Sequence, residues 1–106
     1  MRYGRIIKLI PERVEVYKMI HAEPWKSITD ILRAAHISNY SIFLYNDLLF
    51  SYYEYDGDNY KKDMAWIAEQ PEMKRWREIT DPCQTPVEGA KPGEWWKIME
   101  EIFHME

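Results

Sequence analysis

Three side chains near the N-terminus combine types and spacing that suit chemistry. Tyr17, His21 and Trp25 recur at intervals of four residues, which on a helix places them on one face. An imidazole exchanges protons near neutral pH, a phenol donates and accepts hydrogen bonds, and an indole offers a wide apolar surface. The stretch therefore predicts either a site for a polyhydroxylated ligand such as a sugar, or an aromatic part of the core.

Signatures of other kinds of site are absent from the sequence. There is no Gly-rich phosphate loop, no nucleophile elbow and no HExxH motif. The three histidines, His21, His36 and His104, are too scattered to predict a metal site, and Cys83 has no partner cysteine. We therefore expect any enzyme of this sequence to use acid–base catalysis without a metal or another cofactor.

Length and composition narrow the class of protein. The chain has 106 residues, which predicts a single domain spanning residues 1–106. The net charge is −4 and no basic cluster occurs, which argues against nucleic acid as a partner. No apolar run approaches the roughly twenty residues of a membrane span, and a single cysteine is typical of a reducing compartment. These features predict a cytoplasmic protein without a membrane partner.

Apolar spacing and prolines locate the first strand and helices. Residues 3–10 are typical of a strand covered on both faces, and Pro11 is typical of a helix start. Pro24 predicts a break in the helix that carries the aromatic stripe, because proline removes a backbone donor. A second helix then continues the apolar stripe, with Ser27 and Asp30 as its predicted capping pair.

A hairpin is the clearest structural prediction. Residues 39–45 and 48–55 are rich in Ile, Phe, Leu and Tyr, and Asn46-Asp47 between them tolerates the positive φ of a two-residue turn. This turn fixes the register of the two strands and places Tyr40 opposite Tyr53. One face carries Tyr40, Ile42, Leu44, Leu49, Ser51 and Tyr53. The other carries Ser41, Phe43, Tyr45, Leu48, Phe50 and Tyr52.

The second half of the chain is predicted to add two helices and a last strand. Asp58 is the predicted N-cap of a helix over residues 60–68, and Pro71 begins another. Residues 81–93 form a long loop that we expect to serve the site or an interface. Residues 99–105 are predicted to be the last strand of the sheet.

The order of these elements favours a ferredoxin-like α+β fold, an antiparallel sheet with helices on one face. Both faces of the hairpin are apolar and need cover. We expect the helices to cover one face and a second subunit to cover the other, so that two sheets pair as a dimeric α+β barrel. The predicted assembly is a homodimer.

Short segments spread over nearly the whole chain share an ordered pattern with one family. They are Tyr17-x-x-x-His21, Trp25, Asn39 to Leu44, Leu48 to Phe50, Glu54, Trp76, Asp81 to Gln84, Glu94 to Trp96 and Ile102 to His104. Taken together they resemble the L-rhamnose mutarotases. The resemblance implies a small α+β protein that dimerises through its sheet. It also implies interconversion of the α and β anomers of the monosaccharide L-rhamnose without a metal.

The resemblance further implies roles for individual residues. His21 matches the proton donor of the family, and Tyr17 and Tyr40 match residues that contact the sugar. Trp76 matches the first of two adjacent tryptophans that line the site. Arg77 occupies the second tryptophan position and departs from the pattern, although a guanidinium can still hydrogen-bond sugar hydroxyls.

The family pattern also sets a geometric condition. Tyr40 has to point toward the helices to meet Tyr17 and His21 in one pocket. A second departure is Lys26-Ser27, where the family often has Pro-Glu, so the exact sugar stays open. Asp81 is either a second proton-transfer group or a turn residue.

Three classes of function are compatible with these observations. The first is the mutarotase. The second is a cofactor-free monooxygenase of the dimeric α+β kind, and the third is an interaction module in which the aromatics only hold a dimer together. Fold alone does not separate them. A polar pocket shared by Tyr17, His21 and Tyr40 favours the first, whereas a packed His21 favours the third.

Overall fold

An antiparallel sheet forms one layer of the molecule. The computed structural model describes residues 1–106. The strands are β1 (Arg2–Leu9), β2 (Ile37–Tyr45), β3 (Leu48–Tyr55), β4 (Gln84–Thr85) and β5 (Lys97–Met99). Their order across the sheet begins β2-β3-β1, and the short strands β4 and β5 pair with successive parts of the free edge of β1.

Four helices form the second layer, and prolines mark several of their ends. They are α1 (Val14–Ala22), α2 (Lys26–Ala34), α3 (Tyr60–Glu69) and α4 (Pro71–Thr80). A short 3-10 turn precedes α1 at Pro11, and α1 ends two residues before Pro24, so the predicted break is confirmed. None of these helices combines the length and apolar character that crossing a membrane requires.

Burial shows that the helices cover one face of the sheet. The buried sheet residues are Ile7, Leu9, Ile37, Leu49, Ser51, Tyr53, Tyr55 and Gln84. The apolar ones pack in two clusters, one under α2, α3 and α4 and one beside Tyr17 of α1. On the opposite face Phe43 is 64% exposed and Tyr45 is 69% exposed. The predicted α+β layering, with helices on one face, is confirmed.

The hairpin register is confirmed except at its far end. Asn46 and Asp47 form the turn with φ of 49° and 60°, and the ladder runs as predicted up to the pair of Ser41 with Tyr52. The register then shifts, so Tyr40 is not paired with Tyr53. Asn39 and Tyr40 together stand opposite that one residue, which is the geometry of a β-bulge.

Both predicted helix caps are wrong. The side chain of Asn59, not Asp58, caps α3 by accepting a hydrogen bond from the Lys62 backbone N–H at 3.1 Å. At α2 no side chain caps the backbone. Ser27 instead donates to Glu72 of α4 at 3.2 Å, because a tertiary partner competes successfully with the local one.

The predicted last strand is also wrong. Strand β5 ends at Met99, and residues 100–106 lack regular structure. The antiparallel register pairs Met99 with Gly4. If β5 continued, it would therefore reach the first residue of β1 after only two more residues. Beyond that point no backbone partner exists, and Ile102 and Phe103 are 90% and 77% exposed.

Candidate active site

A cavity of about 630 Å³ opens between the sheet and the helices. Its volume lies in the usual range of small-molecule sites. All five residues predicted for the site line it, namely Tyr17, His21, Tyr40, Trp76 and Arg77. The geometric condition on Tyr40 is met, because its ring lies on the helix side of the sheet, 5.2 Å from the ring of the buried Tyr53.

His21 is held by the backbone of its own helix. Its Nδ1 lies 2.8 Å from the carbonyl oxygen of Tyr17, one turn earlier. A carbonyl only accepts hydrogen bonds, so Nδ1 carries the proton and donates it. Nε2 makes no hydrogen bond to the protein and is left for a ligand.

Aromatic rings pack around the His21 imidazole and bury it, which favours its uncharged form. The His21 ring stacks on Tyr17 at 4.1 Å and meets Trp76 edge-on at 5.3 Å. Burial lowers the pKa of His21 below its usual range, and the hydrogen bond to the Tyr17 carbonyl offsets only part of that change. At neutral pH the ring is therefore uncharged, with a lone pair on Nε2.

Tyr17 is buried and belongs to a hydrogen-bonded chain of side chains. Its hydroxyl accepts from Gln84 Nε2 at 3.1 Å, and Gln84 Oε1 accepts from Trp95 Nε1 at 2.8 Å. Burial is the main reason that the pKa of Tyr17 is raised well above its usual range. The phenol therefore stays neutral, and its own O–H remains free to donate.

The bulge in β2 directs Tyr40 toward Arg5 of β1. Arg5 Nη2 donates to the Tyr40 hydroxyl at 2.7 Å, and Nε donates to Ser51 Oγ at 3.2 Å. The same guanidinium lies 4.8 Å from the ring centre of Tyr53 and 4.7 Å from that of Trp96. Contacts from strands β1, β2 and β3 thus hold the Arg5 guanidinium among aromatic rings.

Helix α4 contributes a further part of the cavity wall. Trp76 is buried and also meets Trp25 edge-on at 5.2 Å. Arg77 lines the cavity, although much of the residue is exposed. Partial burial lowers the pKa of its guanidinium, and the charge of Asp81, one turn later, opposes that change. Burial in turn raises the pKa of Asp81, and Arg77 offsets part of this rise.

The lining residues that were not predicted for the site include Arg5, Gln84, Trp95 and Trp96. Arg5 lies on the same side of β1 as the buried Ile7 and Leu9. An arginine at an inward-facing position of a strand was therefore a sequence signal that could have identified it as a site residue. The others arrive from the segment after α4, whose path the sequence does not reveal. No group of three or more His, Cys, Asp or Glu side chains is placed to hold a metal ion.

Two solved structures share this architecture. An L-rhamnose mutarotase from Formosa agariphila superposes with a TM-score of 0.78 at 24% identity, covering 100% of this chain and 99% of that one. Tetracenomycin F2 cyclase from Streptomyces glaucescens, a type-II polyketide cyclase, gives a TM-score of 0.69 at 17% identity, covering 100% and 96%. At these identities the two likenesses bear on the fold alone, and they confirm the α+β class.

Sequence relatives identify the family. An L-rhamnose mutarotase of Burkholderia orbicola is 35% identical over 102 residues, covering 94% of this chain and 93% of the relative. Another, of Lactiplantibacillus plantarum, is 31% identical over 110 residues, covering 100% and 99%. A model of the L-rhamnose mutarotase family matches residues 2–105. Since the match spans almost the whole chain and the resemblance in its motifs is thereby confirmed, the chain belongs to the L-rhamnose mutarotase family.

Proposed function

We propose that this protein is a mutarotase that interconverts the α and β anomers of a free aldose, L-rhamnose or a close relative, with His21 as the catalytic residue. The supporting observation is the orientation of His21: Nδ1 is held by the Tyr17 carbonyl, and Nε2 is left without a protein partner. An open cavity around the imidazole also argues against a purely structural role for the aromatic stripe.

The reaction requires one proton to leave and one to return. Neutral His21 takes the proton of the anomeric hydroxyl at Nε2 while the bond from the anomeric carbon to the ring oxygen breaks. A carbonyl forms at the anomeric carbon, and the imidazolium gives its proton to the ring oxygen. After rotation of the aldehyde the same transfers run in reverse and close the ring on the other face, so atoms and protons balance.

The remaining predicted residues are proposed to bind the sugar. Trp76 offers an apolar surface for the C–H bonds of the ring, while Tyr17, Tyr40 and Arg77 offer donors for its hydroxyls. Water already opens the ring slowly, so correct positioning plus one proton-transfer group suffices. A positioned general acid–base group contributes about 10²- to 10⁴-fold.

We further propose that the protein acts as a cytoplasmic homodimer without a cofactor. The open sheet face supports pairing, because Phe43 and Tyr45 are largely exposed there, and large exposed apolar surfaces usually meet a partner. The acidic chain with a single cysteine is compatible with a reducing compartment.

Saturation-transfer NMR of anomer exchange in L-rhamnose tests the function. We expect the wild type to accelerate exchange and His21→Ala to lose about 10²-fold or more of that acceleration. His104→Ala is the matched control, because His104 is exposed and lies outside the cavity. Full acceleration by His21→Ala contradicts the proposed role of His21, and a wild type inactive on every free sugar contradicts the function.

A further inference from the structure

The cavity carries more positive charge than a neutral sugar needs. Arg5 and Arg77 both line it, whereas Asp81 is the single carboxylate among its lining residues. This excess occurs in a chain whose net charge is −4. The positive character therefore belongs to this site and not to the protein surface in general.

Neither cavity arginine takes part in an ion pair, unlike several arginines elsewhere. Arg2, Arg33 and Arg75 each pair with a carboxylate, those of Glu101, Asp30 and Glu72. Arg5 and Arg77 are not among the ion-paired residues, although Asp81 lies close enough to Arg77 to oppose the lowering of its pKa. Guanidinium groups with free N–H donors in a cavity are typical of anion recognition.

The two guanidinium groups retain donors for a ligand. A guanidinium has five N–H groups. Arg5 uses one for Tyr40 and one for Ser51, which fixes its position and leaves three. The Arg77 guanidinium donates to no protein acceptor and keeps all of its donors.

The two charges also act on each other. Burial is the main cause of the lowered pKa of Arg77; Asp81 and Tyr40 oppose it, and the positive charge of Arg5 adds the smallest contribution to the lowering. The two like charges share a cavity lined by Trp76, Trp95 and Trp96, and they repel each other. A negative group between them removes this repulsion and gains charge-assisted hydrogen bonds.

We propose that the preferred substrate is an aldose with an anionic group on its terminal carbon, a carboxylate as in a hexuronate or a phosphate monoester. This inference rests on the function proposed above. His21 meets the anomeric end, and Arg5 and Arg77 meet the anion. Arg77 occupies a position where the family pattern has a tryptophan. This chain therefore differs from that pattern at a residue that we propose contacts the substrate.

Matched sugar sets test the inference, because their members differ only at carbon 6. Galactose, galacturonate and galactose 6-phosphate form one set, and the corresponding glucose compounds form another, with L-rhamnose alongside. We expect kcat/KM for anomer exchange to be about tenfold or more higher for an anionic member than for its neutral hexose in at least one set. Which of the two anions is faster separates the carboxylate from the phosphate.

Arginine variants link that preference to the site. Arg77→Gln and, separately, Arg5→Met are expected to reduce the anionic-to-neutral ratio about tenfold. Arg75→Gln is the matched control on the same helix, and it is expected to keep the ratio because Arg75 lies outside the cavity. Arg77→Gln removes no hydrogen bond within the protein, so it remains informative even if Arg5→Met fails to fold.

Two unfavourable outcomes are distinguishable. If neutral sugars are exchanged at least as fast as the anionic ones in every set, the inference is overturned and the mutarotase function stands. If no sugar is exchanged, the proposed function fails, and titrations followed by tryptophan fluorescence decide the inference separately. Equal binding of galacturonate, galactose 6-phosphate and galactose then overturns it, whereas anion binding that Arg77→Gln weakens supports it.

Discussion

His21 shows how one backbone contact prepares a residue for proton transfer. The Tyr17 carbonyl selects the tautomer with the proton on Nδ1, and burial keeps the ring neutral by lowering its pKa. A solvent-exposed histidine has a pKa near 6.5 and is partly charged at neutral pH. The helix and the aromatic rings together therefore leave a neutral imidazole with a free Nε2, which the proposed role of His21 as a base requires.

The pH profile of exchange follows from this lowered pKa. Protonated His21 has no lone pair, so we expect kcat/KM to fall as the pH drops through the pKa of His21. Because that pKa is lowered, the fall should be centred below about 6.5. NMR titration of the imidazole should show the same midpoint as the rate profile. A midpoint above the ordinary histidine value contradicts this account.

The Tyr17 hydroxyl is expected to contribute to stability in addition to its proposed contact with the sugar. Tyr17→Phe leaves the Gln84 Nε2 donor without its acceptor in a buried position, which costs about 1–3 kcal/mol. Urea denaturation measures that loss in the free energy of unfolding. The Nδ1 contact of His21 involves the Tyr17 backbone, so the titration of His21 should shift little. A strongly shifted His21 pKa in this variant contradicts the separation of the two roles.

Among the elements, the bulge in β2 has the clearest consequence for the site. Asn39 has φ of 49° and stands with Tyr40 opposite one residue of β3, which aims the Tyr40 ring at Arg5. Asn tolerates positive φ, whereas a β-branched residue does not. The Asn39 side chain also donates to Glu54 at 2.9 Å.

Two substitutions at Asn39 separate backbone from side chain. Asn39→Val is expected to lower the free energy of unfolding by about 1–3 kcal/mol and to reduce kcat/KM, because φ becomes strained and Tyr40 moves. Asn39→Gly also loses the contact with Glu54 but keeps the backbone conformation, so Tyr40 should stay in place. Denaturation and exchange kinetics check both, and equal activity of the two variants rules out the bulge as the positioning element.

At the scale of the whole molecule, the open sheet face predicts the assembly. Phe43 is 64% exposed on that face, and Met19 is 71% exposed on helix α1 in the other layer. We expect the wild type to sediment at twice the chain mass of 12.9 kDa and Phe43→Arg to sediment as a monomer. Met19→Arg introduces the same charge at a similarly exposed residue and should stay dimeric. Analytical ultracentrifugation distinguishes these results, and a dimeric Phe43→Arg contradicts pairing through this face.

Local features were predicted well because a few neighbouring residues decide them. The turn at Asn46-Asp47 follows from tolerance of positive φ, and the end of α1 follows from Pro24. The alternation of β3 follows from the two-residue period of a strand. The shared helix face of Tyr17 and His21 was equally available from their spacing.

Features that join distant segments were decided only by the tertiary structure. Gln84 reaches Tyr17 across 67 positions, and Arg5 reaches Tyr40 across 35. The early end of β5 likewise depends on where its partner strand begins. The sequence by itself therefore determined the types and local spacing of the candidate residues and the family. The folded chain decided which side chains surround His21, which of its nitrogens is free and how much charge the cavity holds, because burial and long-range contacts exist only after folding.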